Sequence, residues 1–262
     1  MEQATGKIED RDAWDQHWES YAESAALNPA QDYRRRVLSY LLRRHAPRAA
    51  GAPLRLLDIG SGTGDFAKVF IQEQRDAEVL GLEYSQKGVE IAARKVPEAK
   101  FIQCDLLQKQ SPAAKYRGWA NAAVCSEVLE HVDQPHILLA NTKPYLAPGA
   151  LVIVTVPGGP MSYFDRHIGH RQHFSRESLS KMIADAGFVH AGVRCGGFPF
   201  FNLYKLIVIA RGKSLVQDAA STPRGMSFPA RMVMGTFSML FHLNVLWTPW
   251  GWQMIAWARA TK

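Results

Sequence analysis

Residues 56–66 read LLDIGSGTGDF: an apolar run stops at Asp58, and glycines follow at positions 60, 62 and 64. The run is short and sits behind a chain breaker, PRAAGAP (47–53), so it reads as a buried strand. Glycine accepts positive φ and lets a ligand approach the backbone. The helix that opens next (GDFAKVFIQEQRD) offers unpaired N–H groups with partial positive charge. Together these form a strand–turn–helix cradle for a nucleotide-like or carboxylate-bearing ligand. Taken alone, GxGxG is equally the mark of a bare tight turn.

Outward from this stretch, strands and helices alternate. LRLLDIG, EVLGLEYS, AKFIQCDLL, NAAVCSEV, GALVIVTVP and VHAGVRC read as strands, and GWQMIAWARA as a last one. Between them QKGVEIAARKV, DQPHILLANTKPYL and RESLSKMIADAGF read as helices, the last with a Ser175-x-x-Ser178 start and a Gly187 stop. Such alternation implies a parallel sheet covered on both faces. Two helices precede it, over residues 10–25 and 29–46; the second has Val37, Tyr40, Leu41 and Leu42 as its apolar stripe.

Residues 198–248 break the rhythm with an apolar helix (FNLYKLIVIARG), a polar loop (QDAASTPRG) and a second apolar helix (PARMVMGTFSMLFHL). No Asp, Glu, Lys or Arg occurs from Met232 to Ala258, but Gly235, His242, Asn244, Pro249, Gly251 and Gln253 interrupt that stretch. A hairpin of helices packed on the domain is expected, not a membrane span. The chain thus divides into an N-terminal helical cap (1–50), a core (51–197), an apolar helical insertion (198–248) and a closing strand (249–262).

Composition excludes little. The 262 residues are 47% hydrophobic and 21% charged, as in ordinary globular proteins. Cys104, Cys125 and Cys195 are too few and scattered for a disulfide framework, which suits a reducing, cytoplasmic setting, and the polar start MEQATGKIEDRDAWDQ carries no signal-peptide core. The net charge of +7 is spread, and its clusters Arg34-Arg35-Arg36 and Arg43-Arg44 read as solvated helix faces.

Two acids sharpen the cradle. Glu83 ends the second strand, where it can accept from both hydroxyls of a ribose. Asp105 ends the third, where it can accept from an adenine amine. The order LDIGSGTG, GLEYS, QCDLL, CSEVLEHV and LAPGALVIVTVP resembles the class I S-adenosylmethionine-dependent methyltransferases over about residues 54–195 and the closing strand. The resemblance implies an α/β, Rossmann-like fold: a seven-stranded, mostly parallel sheet, helices on both faces, and an antiparallel last strand. It also implies that Asp58, Gly60, Ser61, Gly62, Thr63 and Gly64 wrap the methionine portion. Glu83 with Tyr84 would hold the ribose, Asp105 with Leu106 the adenine, and Glu127 would help orient the cofactor. A nicotinamide dehydrogenase is the rival, but its loops are spaced GxGxxG and no Tyr-x-x-x-Lys pair is present.

SEVLEHV (126–132) is similar to the strand-four motif of ubiquinone-biosynthesis O-methyltransferases. If residues 127–131 form a helical turn, Glu127, Glu130 and His131 share a face. A histidine-rich loop, DRHIGHRQHF (165–174), follows strand five with His167, His170 and His173. Methyl transfer to a hydroxyl needs a base or a metal, so His131 and His170 are the catalytic candidates. A Glu-x-x-Glu-His plus a later histidine resembles the metal site of small-RNA 3′-end 2′-O-methyltransferases. That would make Glu127, Glu130, His131 and His170 ligands of a divalent metal, although the metal-free reading is preferred.

The expected partner is a small, apolar or lipid-like acceptor. No dense basic stripe with stacking platforms argues for nucleic acid, leaving an RNA 2′-O-methyltransferase and a silent cofactor-binding subunit as alternatives. Trp14, His17, Trp18 and Tyr21 suggest an aromatic face, which in relatives folds over the cofactor. The 198–248 segment carries Lys205, Arg211, Lys213, Arg224 and Arg231 against Asp218 alone, so contact with the inner face of a membrane and homodimer formation both stay open.

Overall fold

The computed structural model describes residues 14, 15, 18, 28–47, 52–221 and 228–261. Of the first expected helix only Trp14, Asp15 and Trp18 fall among these, each helical; His17 and Tyr21 lie outside the described residues. Helix α1 (Pro29–His45) begins where the Asn28 side chain accepts from Ala30 N–H, with Pro29 in its first turn. It buries Tyr33, Val37, Leu38, Leu41 and Leu42.

Seven strands form one sheet: β1 (Arg55–Ile59), β2 (Glu78–Glu83), β3 (Lys100–Gln103), β4 (Ala120–Ser126), β5 (Leu146–Pro157), β6 (Phe188–Gly196) and β7 (Gln253–Ala260). Their order is β3-β2-β1-β4-β5-β7-β6. β1 lies parallel to β2 and β4, and β7 lies antiparallel to both β5 and β6. The order reverses between β1 and β4, which opens the crevice where such sheets bind ligands.

Alternation along β1 explains the two-sided core. Leu56 packs with Leu38 and Leu42 of α1 and Phe70 of α2 (Asp65–Glu73), the face that also holds Ala92 of α3 (Gln86–Lys95). Leu57 and Ile59 turn to the other face, with Leu139 of α4 (Pro135–Ala140) and Leu179 and Ile183 of α6 (Arg176–Asp185). Truncating such a fully buried leucine to alanine costs about 2–5 kcal/mol. As expected, α6 starts with Ser175 and Ser178 capping each other.

Three expectations need correction. The helix expected over 133–146 ends at Ala140 and gives way to a 3-10 turn, Lys143–Tyr145, because Pro144 has no N–H to donate and crowds the carbonyl four residues back. The histidine segment is not all loop: Asp165–His167 belongs to α5 (Tyr163–His167), which Ser162 and Asp165 cap reciprocally. The first insertion helix, α7 (Phe200–Ser221), does not stop at Gly212 but breaks there, at φ 47° and ψ −119°, and resumes through residues expected as polar loop. Residues 222–227 lie outside the described ones; α8 (Phe228–Leu240) follows, and α7 and α8 join the α1 side of the core through Phe201, Phe237 and Phe241. No helix among the described residues is long and apolar enough to cross a membrane.

Candidate functional site

The residues nominated for the cofactor, with Glu130 and His131, lie at or just past the carboxyl ends of β1, β2, β3 and β4, and His170 follows β5 and α5. Gly60 and Gly62 both take positive φ, 67° and 54°. A Cβ on Gly60 would strike Val128, and one on Gly62 would come within 2.9 Å of the Trp18 ring. The turn is pinned to β2 by Gly60 and Ser61 N–H groups donating to the Leu82 carbonyl. Glu83, almost fully buried, accepts from Gly62 N–H at 2.8 Å and from Ser85 N–H at 3.0 Å. Burial raises its pKa, while those N–H groups and the Trp18 indole work in the opposite sense.

Asp58 is buried and its Oδ2 has no hydrogen-bond partner; the Ser61 hydroxyl, also buried, has none either. Burial, then the neighbouring Glu83 charge, push the Asp58 pKa up to about 7. Orphaned acceptors beside a glycine cradle are what a polar cation-bearing ligand would satisfy, so the residues present fit S-adenosylmethionine. Thr63, also buried, is already partnered: its hydroxyl donates to Asp65, with Lys95 bonded to both. Asp105 stands past the end of β3 with Oδ1 taken by Leu107 N–H, Leu106 is buried in the core, and Tyr84 is exposed. Over this surface lies the described part of the N-terminal segment: Trp18 against Gly62 and Gly88, and Asp15 accepting from Ser85 and Lys87.

Beyond β4 the expected helical turn does not form. Glu127 sits in the left-handed region at φ 56°, an unfavourable place for a side-chain-bearing residue, and only Leu129–His131 makes a 3-10 turn. The Glu127 side chain meets Arg34 at 2.8 Å, and Gln253 donates to its other oxygen at 2.9 Å. Arg34 Nε in turn donates to the Gln253 side-chain oxygen Oε1 at 2.8 Å, closing a ring of three residues from α1, the turn after β4, and β7. Arg34, expected on a solvated face, is therefore an interior group.

Glu130 is fully buried with neither carboxylate oxygen hydrogen-bonded, and burial followed by the Glu127 charge holds its pKa well above the usual range. His170 Nε2 lies 4.0 Å from it, and the His131 ring packs edge-on to both His170 (4.7 Å) and Trp14 (4.8 Å). Burial, then neighbouring His131, depress the His170 pKa to about 2, so its imidazole is neutral. Its Nδ1 pairs with His173 Nε2 at 3.2 Å, and His173 Nδ1 faces the Gly159 carbonyl. His173 also lies 3.8 Å from Asp165, which Lys205 of α7 grips. Burial raises the Asp165 pKa, but Lys205 and Ser162 outweigh that and leave it lowered.

Among the described residues, two groups have ligand atoms all within 4.8 Å: Glu130 with His131 and His170, and Asp165 with His170 and His173. Glu127 belongs to neither, being held by Arg34 and Gln253, and His167 is exposed at the end of α5. Sequence reasoning missed Arg34, Gln253 and the Asp165–Lys205 pair. A lone cation inside an apolar stretch, as at Lys205, was the one available signal.

A glycine cradle at the switch point, an acid after β2 and the antiparallel β7 between β5 and β6 define the class I S-adenosylmethionine-dependent methyltransferases. A family profile described as a methyltransferase domain matches residues 30–190, and the chain belongs to that family. It is 25% identical over 157 residues to the ubiquinone biosynthesis O-methyltransferase of Psychrobacter arcticus, covering 53% of this chain and 60% of that one. The chain thus spans less than two thirds of that curated relative's length. Among solved structures, the [4+2]-cyclase SpnF superimposes with a TM-score of 0.59 at 20% identity, covering 87% of this chain and 80% of that one. The phosphoethanolamine N-methyltransferase 2 of Haemonchus contortus, solved with phosphomonomethylethanolamine and S-adenosylhomocysteine, gives 0.56 at 19% identity, covering 85% and 52%. These likenesses concern the fold.

Proposed function

We propose that this chain transfers a methyl group from S-adenosylmethionine to an oxygen of a small, apolar or lipid-like acceptor, with His131 as the base. The observation that carries this reading is the packing of the His131 ring past the end of β4 against neutral His170, which itself lies 4.0 Å from buried Glu130. S-adenosylmethionine, when bound, supplies an electrophilic methyl on a sulfonium sulfur that departs as a neutral thioether. In this reading the His131 imidazole takes the acceptor hydroxyl proton as the oxygen–carbon bond forms, and Trp14 and His170 hold its ring. Trp14 and Trp18 exclude water from the crevice. Buried free thiols at Cys104, Cys125 and Cys195 fit a reducing, cytoplasmic setting.

One observation favours a second reading with a divalent metal: the unpartnered Glu130 carboxylate beside His131 and His170. Those three would hold the ion, a mixed nitrogen–oxygen set that suits Mn, Fe or Zn better than Mg. Its chemistry would be to lower the acceptor hydroxyl pKa.

The test is methyl transfer from radiolabelled S-adenosylmethionine into a fractionated cell extract, with and without chelator. Label in the organic-soluble fraction, unchanged by chelator, supports the first reading. Loss with chelator and rescue by Mn or Zn supports the second. Label in RNA refutes the small-acceptor reading, and tight cofactor binding without label in any fraction points to a silent subunit.

A further inference from the structure

The insertion helices carry apolar stripes on the wrong side for a freely dissolved protein. On α7, Leu203, Leu206, Ile207 and Ala210 recur at intervals of three and four, the spacing of one helix face, and all four are exposed. The opposite face is accounted for: Phe201 is in the core, and the Tyr204 ring packs on Phe237 and Phe241 of the α8 region. On α8, Met232, Gly235, Thr236 and Met239 repeat the pattern, with Met232 60% and Met239 75% exposed. The segment after it adds Leu243, Val245, Trp247 and Trp250, all exposed as well.

The start of α7 and the Leu243–Trp250 segment adjoin one another. Asn202 donates to the Trp250 carbonyl, Phe198 packs against the Trp250 ring at 5.5 Å, and Val245 N–H donates to the Phe198 carbonyl. An exposed apolar surface this extended marks a contact site. Its charges identify the occupant: exposed Arg211, Lys213 and Arg231 accompany it, and Asp218 is the sole acid between residues 198 and 250. A second copy packed through a two-fold axis would set this cationic, acid-poor patch against itself. An anionic bilayer offers both a hydrocarbon boundary for the stripes and phosphates for the cations, and tryptophans favour that boundary.

We propose that α7, α8 and the Leu243–Trp250 segment seat this protein on an anionic lipid surface, lying in the headgroup layer without crossing it. The seat is tied to the candidate site, because Lys205 on α7 grips Asp165 of the histidine cluster. Docking itself is independent of the methylation reading; if both hold, the acceptor is drawn from the bilayer.

The test is sedimentation of the full chain with vesicles of phosphatidylcholine alone or with one third phosphatidylglycerol. The proposal expects binding to the anionic vesicles only, weakened about tenfold or more by high salt or by R211Q/K213Q/R231Q together. L206E/I207E and M239E, at positions already in solvent, should abolish binding while leaving the thermal transition unchanged. Tryptophan emission should shift to the blue on anionic vesicles, and W247F/W250F should remove most of that shift. No binding to either vesicle overturns the proposal. So does a concentration-dependent dimer that M239E dissociates without any vesicle binding. Cofactor binding measured separately on the same variants keeps a failure here distinct from a failure of the methyltransferase reading.

Discussion

The two banks of the crevice hold their polar groups in opposite ways. On the glycine side, backbone N–H groups within one strand–helix–strand unit do the work: Gly62 and Ser85 grip Glu83, and Ser61 and Gly60 hang from Leu82. On the histidine side, long-range side-chain pairs do it: Arg34 reaches Glu127 and Gln253, and Lys205 reaches Asp165. One bank is a local backbone device that a short motif can encode. The other exists only once α1, β4, β7 and α7 have assembled around it.

That contrast can be broken from either side. The largest effect is expected at the cradle, where G62V places a branched side chain at φ 54° and against Trp18. Binding of S-adenosylhomocysteine by calorimetry should become undetectable while the chain stays folded. Next comes H131A, expected to lower kcat about 10²–10⁴-fold with cofactor affinity within about twofold of the parent. A parallel loss of cofactor binding would reassign His131 to the cofactor bank.

R34A probes the assembled bank. It leaves Glu127 interior and without its cation, at a cost of about 3–5 kcal/mol in chemical denaturation. The double variant R34M/E127Q should recover most of that loss, since neither charge then remains unpaired. If R34A is neutral, the ring of Arg34, Glu127 and Gln253 is not structural.

The smallest effect is a pH dependence at Asp58. Its pKa of about 7 in the free site means a cationic ligand must first displace a proton below that pH. Cofactor affinity should therefore fall by up to about tenfold per unit as pH drops below 7, and level off above it. For folding the sign is opposite: a raised carboxyl pKa binds more protons in the folded state, so its contribution weakens as pH rises from about 4 to 7. D58N should flatten both profiles.

Legibility in the sequence follows the same division. The strands, their alternation and the glycine turn were readable because β1 and its turn are specified within a dozen neighbouring residues. Arg34 was not, since its partner Gln253 lies 219 positions away and an arginine triplet on a helix ordinarily faces water. Glu127 escaped for a different reason: a left-handed turn at a non-glycine residue has no local signature. The exposure of Leu206 and Met239 was equally hidden, because an apolar stripe looks the same whether core, lipid or nothing covers it.

The most direct measurement is single-turnover transfer of labelled methyl from S-adenosylmethionine to an organic-soluble acceptor fraction, comparing the parent with H131Q in the presence of chelator. The account predicts label in the parent, unaffected by chelator, and at least a hundredfold slower transfer by H131Q with cofactor still bound. Equal rates in the two proteins, or label confined to RNA, would contradict it.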